Sequence, residues 1–342
     1  MRAVKRLGRW PATYPVPRWG LMLVAGFAAL LGSRPPAQAL VFDVSYEPSV
    51  AGAPAGFIAA FDDALQGFEG SYGDPIGINI SIGWGTLNGK PLGAGVLGRS
   101  VTNQAGFYSY DQIKSFMQGD ARSAQDAVAM AAFAKADPTG GSPFVMANAE
   151  AKALGLLDGK APGIDGWIGF SDSTAFSFDP DHRGMAGTYD FIGVAQHEIS
   201  EVLGRYGVGQ NGGGGAQSPL DLFRYQAPGA PELSAIAGSY FSIDGGITPI
   251  NWFNGGAGDP GDWQGLTADA FNDGFVAGLE QGISPGDITV MDAIGYDLID
   301  TVAEPASLSL FGLALTGLVL LRRPRSVPTA RWRAASRPSP RP

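Results

Sequence analysis

Between residues 40 and 300 the apolar positions follow two rhythms, and each predicts a different element. Residues 55–67 carry apolar side chains at helical spacing, whereas in 76–84 Ile78, Ile80 and Ile82 alternate with small or polar neighbours, as a half-buried strand does. Helices are expected at 112–117 and over the alanine-rich stretch 121–136. An extended piece at 143–146 leads into a helix at 147–157, and 167–170 is a short strand. Around residues 189–205, Ile192, Val194, Ala195, Ile199, Val202 and Leu203 recur at mixed three- and four-residue intervals, which predicts a buried helix ending at Gly204. A small strand is expected at 241–243. A helix at 284–296 is opened by Ser284 and Pro285, a favourable cap and first-turn pair. Glycine crowds 207–215 and 255–261, so long loops should follow the main helix. Helices and strands before that helix and loops after it predict an α+β fold.

The two ends have a different character. In 1–39, Arg2, Lys5, Arg6, Arg9 and Arg18 precede an apolar run at 20–31, and Ala37-Gln38-Ala39 fits a small-x-small cleavage site, so this stretch is expected to be a signal peptide. At the other end Glu304 and Pro305 precede an apolar run at 308–321, then Arg322, Arg323 and Arg325, and a basic tail at 326–342. These ends change the charge argument. Residues 1–39 hold 6 of the 23 Lys and Arg and residues 305–342 hold 7, while all 32 acidic residues lie between, leaving 10 basic groups there and a net charge near −22. Such a domain repels nucleic acid and anionic membranes. With no cysteine, disulfides, thiolate metal sites and cysteine nucleophiles are excluded.

The chemistry is concentrated in residues 197–204, His-Glu-Ile-Ser-Glu-Val-Leu-Gly. Positions i and i+4 lie on one helical face, so His197 and Glu201 point the same way, with Glu198 one residue round. The spacing is that of HExxH, in which the first and last residues hold zinc and the Glu is general base, with Glu201 in place of the second His. The competing interpretation of Glu201 is an exposed i,i+4 ion pair with Arg205, in which case the Arg would matter little to a metal. Two ligands are too few for catalytic zinc, so a third must come from elsewhere. His182 and Asp259 are candidates, whereas Asp221 is expected to hold the turn at 220–225. Met291 is expected in the core. Trp252 and Trp263, the aromatic candidates for a carbohydrate platform, are expected there too.

The helix resembles the metzincin pattern HExxHxxGxxH at His197, Glu198 and Gly204, and departs from it at Glu201 and Gly207. Residues 188–298 are similar to a family of secreted bacterial metalloprotease-like proteins in three further segments: LDLFRY at 220–225, YFSIDGG at 240–246 and the closing helix at 287–295. The resemblance implies a metzincin-like fold, zinc and peptidase activity for residues 40–300. It also places Asp262 where that family carries a later His ligand, which makes Asp262 the first choice of third ligand. Residues 301–325 resemble a PEP-CTERM sorting signal with a short membrane helix. That resemblance implies an exosortase-type partner, membrane attachment and a final place at the cell surface or in an extracellular matrix. A catalytically inactive metalloprotease-like scaffold, acting as an extracellular or biofilm-matrix protein, is the alternative to a peptidase.

Overall fold

The computed structural model describes residues 40–299, apart from 208, 210–214, 256 and 257. The predicted signal peptide and the sorting segment with its basic tail lie outside the described residues. Among the described residues no helix is long and apolar enough to cross a membrane.

The fold is α+β and is built on a four-stranded sheet. Strands β1 (Val41–Tyr46), β2 (Gly77–Trp84), β3 (Gly98–Thr102) and, further along the chain, the strand Gly166–Phe170 form it. The order in space is Val41–Tyr46, Gly77–Trp84, Gly166–Phe170, Gly98–Thr102. The first three run parallel, and Gly98–Thr102 is an antiparallel edge strand, with Gly98 opposite Phe170 and Thr102 opposite Gly166. Helix α1 (Phe57–Glu69) crosses between the first two strands, as a parallel connection requires. It packs with the motif helix on the face where Ile78, Ile80 and Ile82 are wholly buried. Aromatic rings cement this layer, Phe191 lying 5.1 Å from Phe57 and 4.8 Å from Phe170.

The remaining elements flank this core. Strand β4 (Gln104–Tyr108) pairs with β5 (Phe144–Ala147), while α2 (Tyr110–Asp120) and α3 (Ala124–Ala132) fill the connection between them. The short α4 (Asn148–Ala153) precedes strand β6 (Gly166–Phe170), and α5 (Phe191–Val202) is the motif helix. After it the chain forms a small sheet of β7 (Arg224–Ala227), β8 (Tyr240–Phe241) and β9 (Asn251–Trp252). It closes with α6 (Pro285–Ala293), capped at Ser284 as expected.

Among the described residues the sequence placed each α-helix but overextended some, and it did not foresee the short 3-10 helices Pro48–Gly52 and Pro219–Phe223. The predicted 121–136 helix narrows to Ala124–Ala132, because Ser123 forms a capping box with Asp126 and sets a later start. The predicted 147–157 helix stops at Ala153. Met291 is buried as expected. Trp252 is not, and is 49 % exposed with its ring edge on Tyr240, because it sits in a two-residue strand at a sheet edge. Trp263 is core, its Nε1 donating to Asp287 at 2.6 Å.

One core carboxyl has no role in the site. Glu150, on α4, is fully buried, and neither of its oxygens makes a hydrogen bond of normal geometry among the described residues. Burial, opposed only by the nearby Ala147 N–H, holds it well above the usual carboxylate range. Its folded pKa exceeds the unfolded one, so the unfolded chain ionises first and stability falls as pH rises above about 4.3. The Glu150→Gln variant should therefore melt at a higher temperature than wild type at pH 8, with the difference vanishing near pH 4. Thermal melts across that range check this.

Candidate metal centre

Both ends of α5 are fixed by polar contacts. At its start Asp190 accepts from the Gly193 N–H, and Arg183 grips the same carboxylate through Nε and Nη2 at 2.8–3.1 Å. Gln281 N–H also donates to Asp190, tying in the 269–282 segment. At its end the Gly204 N–H donates to Glu201 O and the Arg205 N–H to Ser200 O, the bonding of a glycine-terminated helix. Gly204 has φ +114, and a Cβ there would lie 2.8 Å from Glu150 Oε2, so only glycine fits.

That termination corrects the expected Glu201–Arg205 pair. Arg205 lies past the last helical turn and turns inward, fully buried, rather than standing on an exposed face. Its Nη1 donates to Asp262 Oδ1 at 2.7 Å and to Gly261 O at 3.1 Å, and its Nε donates to Ser200 Oγ at 2.7 Å. Its guanidinium also stacks 4.5 Å from the Phe271 ring centroid. Gly207, where the metzincin pattern has its third His, packs backbone to backbone against Pro260 and Gly261. A side chain there would push the 260–262 loop away. Asp262 thus reaches the site because residue 207 is small. Arg224 secures the same loop, its Nη2 donating to Pro260 O at 2.5 Å and its guanidinium lying 3.7 Å from the Phe253 centroid. Asp221 holds the turn before it, as expected, accepting from the Ser218 N–H at 2.8 Å.

His197, Glu201 and Asp262 come together. Each offers one ligand atom, and these atoms lie within 4.8 Å of one another. His197 Nε2 is 3.9 Å from Glu201 Oε1 and 3.6 Å from Asp262 Oδ1. The tautomer follows from the opposite side of the ring. Nδ1 faces the Ala270 carbonyl at 2.9 Å, and a carbonyl only accepts, so Nδ1 carries the hydrogen and the Nε2 lone pair faces the carboxylates. Burial, reinforced by Arg205, holds the imidazole below its usual pKa, which keeps that lone pair available. Glu201 Oε2 accepts from Ser100 Oγ at 2.6 Å, while its Oε1 is buried without a hydrogen-bond partner among the described residues.

Glu198 occupies a different place. It is 6 % exposed, its side chain has no hydrogen bond among the described residues, and it lines a cleft of about 410 Å³ together with His197, Asp262, Gly98 and Phe275. The edge strand β3 passes so close that a Cβ on Gly98 would lie 2.7 Å from Glu198 Oε1. Burial raises Glu198 well above the carboxylate range, and the neighbouring Glu201 carboxylate adds to the shift. Glu201 is raised chiefly by burial, and Asp262 is pushed up to about 7 by burial against the pull of Arg205. Three buried carboxyls face one buried guanidinium; ionised together they would leave an excess of two negative charges, which a divalent cation would neutralise. The orphaned Glu201 oxygen, the free Nε2 lone pair and that charge excess fit such an ion.

The other candidates do not take part. His182 stands on an exposed loop, with Nδ1 2.8 Å from Asp179 Oδ2, and belongs to no ligand cluster. Asp259 lines the cleft but is not in the cluster either. Sequence reasoning missed Ser100, Arg205 and the Ala270 carbonyl. Strand β3 buries Ser100 and Thr102, with Gly98 half-buried, against a polar helix face and exposes Arg99 and Val101, inverting the usual apolar-in alternation. That inversion, small and polar inward, was the one available signal.

Removing Arg205 should therefore be costly. In chelator-treated protein Arg205→Met should lose about 3–5 kcal/mol of stability at pH 8, since it leaves Asp262 buried and unpaired. The loss should shrink at pH 5, where Asp262 takes up a proton, and in the Arg205→Met, Asp262→Asn double variant. Urea unfolding measures all three. No known protein family, curated protein or solved structure matches this chain, so the resemblance drawn from its motifs rests on those residues alone.

Proposed function

We propose that the protein is an exported, metal-dependent peptidase of metzincin-like architecture. His197, Glu201 and Asp262 would hold a divalent cation, zinc first, and Glu198 would be the general base. The observation that carries this reading is the division of labour on one helix. Glu201 turns into the ligand cluster, while Glu198 projects unpaired into an open cleft beside it. A one-His, two-carboxylate donor set suits zinc and also favours harder ions such as manganese more than three imidazoles do.

A bound cation supplies Lewis acidity, polarising a carbonyl and acidifying water. The chain's own groups do the rest. Glu198 takes the proton of the attacking water on its carboxylate and delivers it to the leaving amine. Ala270 O fixes the His197 ring, Ser100 Oγ fixes Glu201, and Arg205 fixes Asp262. Strand β3, at a sheet edge beside the cleft, offers backbone groups with which an extended peptide can pair. Export, and sorting by an exosortase-type enzyme with temporary membrane attachment, are supported by the terminal sequence patterns. A metal-free matrix scaffold is the second reading. One observation favours it: Asp262 already has an internal cation, Arg205, at 2.7 Å.

Elemental analysis separates the two readings. The purified chain should carry one divalent ion, lost in His197→Ala and strongly weakened in Glu201→Gln. Zinc added at 100 times its dissociation constant should stabilise the chelated protein by about 2.7 kcal/mol. A metal-free protein that zinc does not stabilise would establish the scaffold.

Activity is a separate question. Metal-loaded wild type should cut unfolded proteins, and Glu198→Ala should keep the metal while losing activity by a factor on the order of 10²–10⁴. Turnover unchanged in Glu198→Ala would place the chemistry elsewhere.

A further inference from the structure

The cleft beside Glu198 has a one-sided charge distribution, which bears on what it can accept. Its lining includes four carboxylates, Glu198, Asp259, Asp262 and Asp273, and no lysine or arginine. Two of the four are accounted for by the site: Asp262 is paired with Arg205 from behind, and Glu198 is the unpaired, nine-tenths buried group at the cleft floor. Asp259 and Asp273 are different. Both are exposed at the rim, and neither has an ion-pair partner among the described residues.

The fold holds these two close to each other. The Asp273 carboxylate lies where a side chain on Gly258 would stand, so the 258–262 loop and the 272–275 segment meet backbone to carboxylate, one residue from Asp259. The Asp273 N–H donates to Trp263 O at 3.0 Å and the Asp259 carbonyl accepts from the Asp262 N–H at 3.1 Å, so both segments are tied to the ligand loop. Both line the same cleft as Glu198 and Asp262. The opposite wall, Gly95, Val96, Leu97 and Gly98, is uncharged. A divalent cation would balance the buried groups and leave the two rim charges uncompensated.

We infer that this cleft selects a basic side chain, lysine or arginine, beside the bond to be cut, with Asp259 and Asp273 as the groups that recognise it. The inference rests on the peptidase reading for its biological sense, but the recognition itself is a binding property. Acidic side chains would meet four carboxylates and be excluded. An arginine fork can engage two carboxylates at once, and a lysine acts as a point charge between them. The rim is wet, so the preference should weaken with salt, the Debye length being about 8 Å at physiological ionic strength and about 3 Å at 1 M.

The test separates binding from cleavage. Three fluorescent peptides identical except for one central Arg, Gln or Glu are titrated by anisotropy into the zinc-treated full chain carrying Glu198→Gln, which cannot turn them over. The Arg peptide should bind about tenfold more tightly than the Gln peptide, two rim pairs near the top of the surface range. The Glu peptide should bind more weakly than either. In the added double variant Asp259→Asn, Asp273→Asn, the Arg-to-Gln ratio should fall to near one, and high salt should lower it in the parent. Equal affinities for all three peptides, a ratio unmoved by the double variant, or no binding of any peptide would overturn the inference. A preserved ratio in a chain whose Glu198 form cuts nothing would sink the peptidase reading and leave the charge recognition standing.

Discussion

The constraint on which the site depends is the burial of like charges. Glu198, Glu201 and Asp262 sit close together in a region where burial alone raises all three carboxyls. Such a group of anions is not tolerated without compensation. Arg205 supplies part of it through Nε and Nη1, with Asp262, Gly261 and Ser200 as acceptors and Phe271 beneath, while its Nη2 is buried without a hydrogen-bond partner among the described residues. The remainder would be met by protonation or, as proposed, by a cation. Glu201 keeps one oxygen unsatisfied toward His197, whose ring is turned by Ala270 to present a lone pair.

Delivery of the third acidic group is a matter of backbone packing. Asp262 is far from the helix in sequence, and it arrives because Gly207 and Gly261 allow two backbones to touch. Two buried arginines then hold successive carbonyls of that loop, Arg224 on Pro260 and Arg205 on Gly261. The departures from a three-histidine pattern are therefore linked. Glycine at 207 leaves no side chain at the pattern's third ligand position and lets the 260–262 loop bring Asp262, the proposed third ligand, close to the helix. The same loop, continuing to Gly258 and Asp259, forms the rim of the cleft, so ligand placement and cleft charge come from one segment.

The helix motif, the central strand 76–84 and the α+β character were legible because each depends on local periodicity. Helix α5 keeps its apolar residues at helical spacing while His197 and Glu201 share a face, and both facts belong to the helix itself. The edge strand Gly98–Thr102 was illegible for the same reason in reverse. Its inward residues are small and polar because they lie on the carboxylates of α5, so its pattern makes sense only beside that helix. Trp252 failed similarly, since whether an aromatic ring is covered depends on the neighbours of its strand and not on the residue.

The sequence by itself determined which groups could act: one histidine and two carboxylates at fixed spacing on one helix, with no thiol anywhere in the chain. Tertiary structure decided which of them do what. It ended the helix at Gly204, which turned Arg205 inward from an exposed partner of Glu201 into the buried partner of Asp262. It brought Asp262 into the ligand cluster and left His182 on a surface loop. Spacing along a helix is a local property that residue order specifies, whereas the meeting of segments 57 residues apart depends on the packing of backbones and the balance of buried charge.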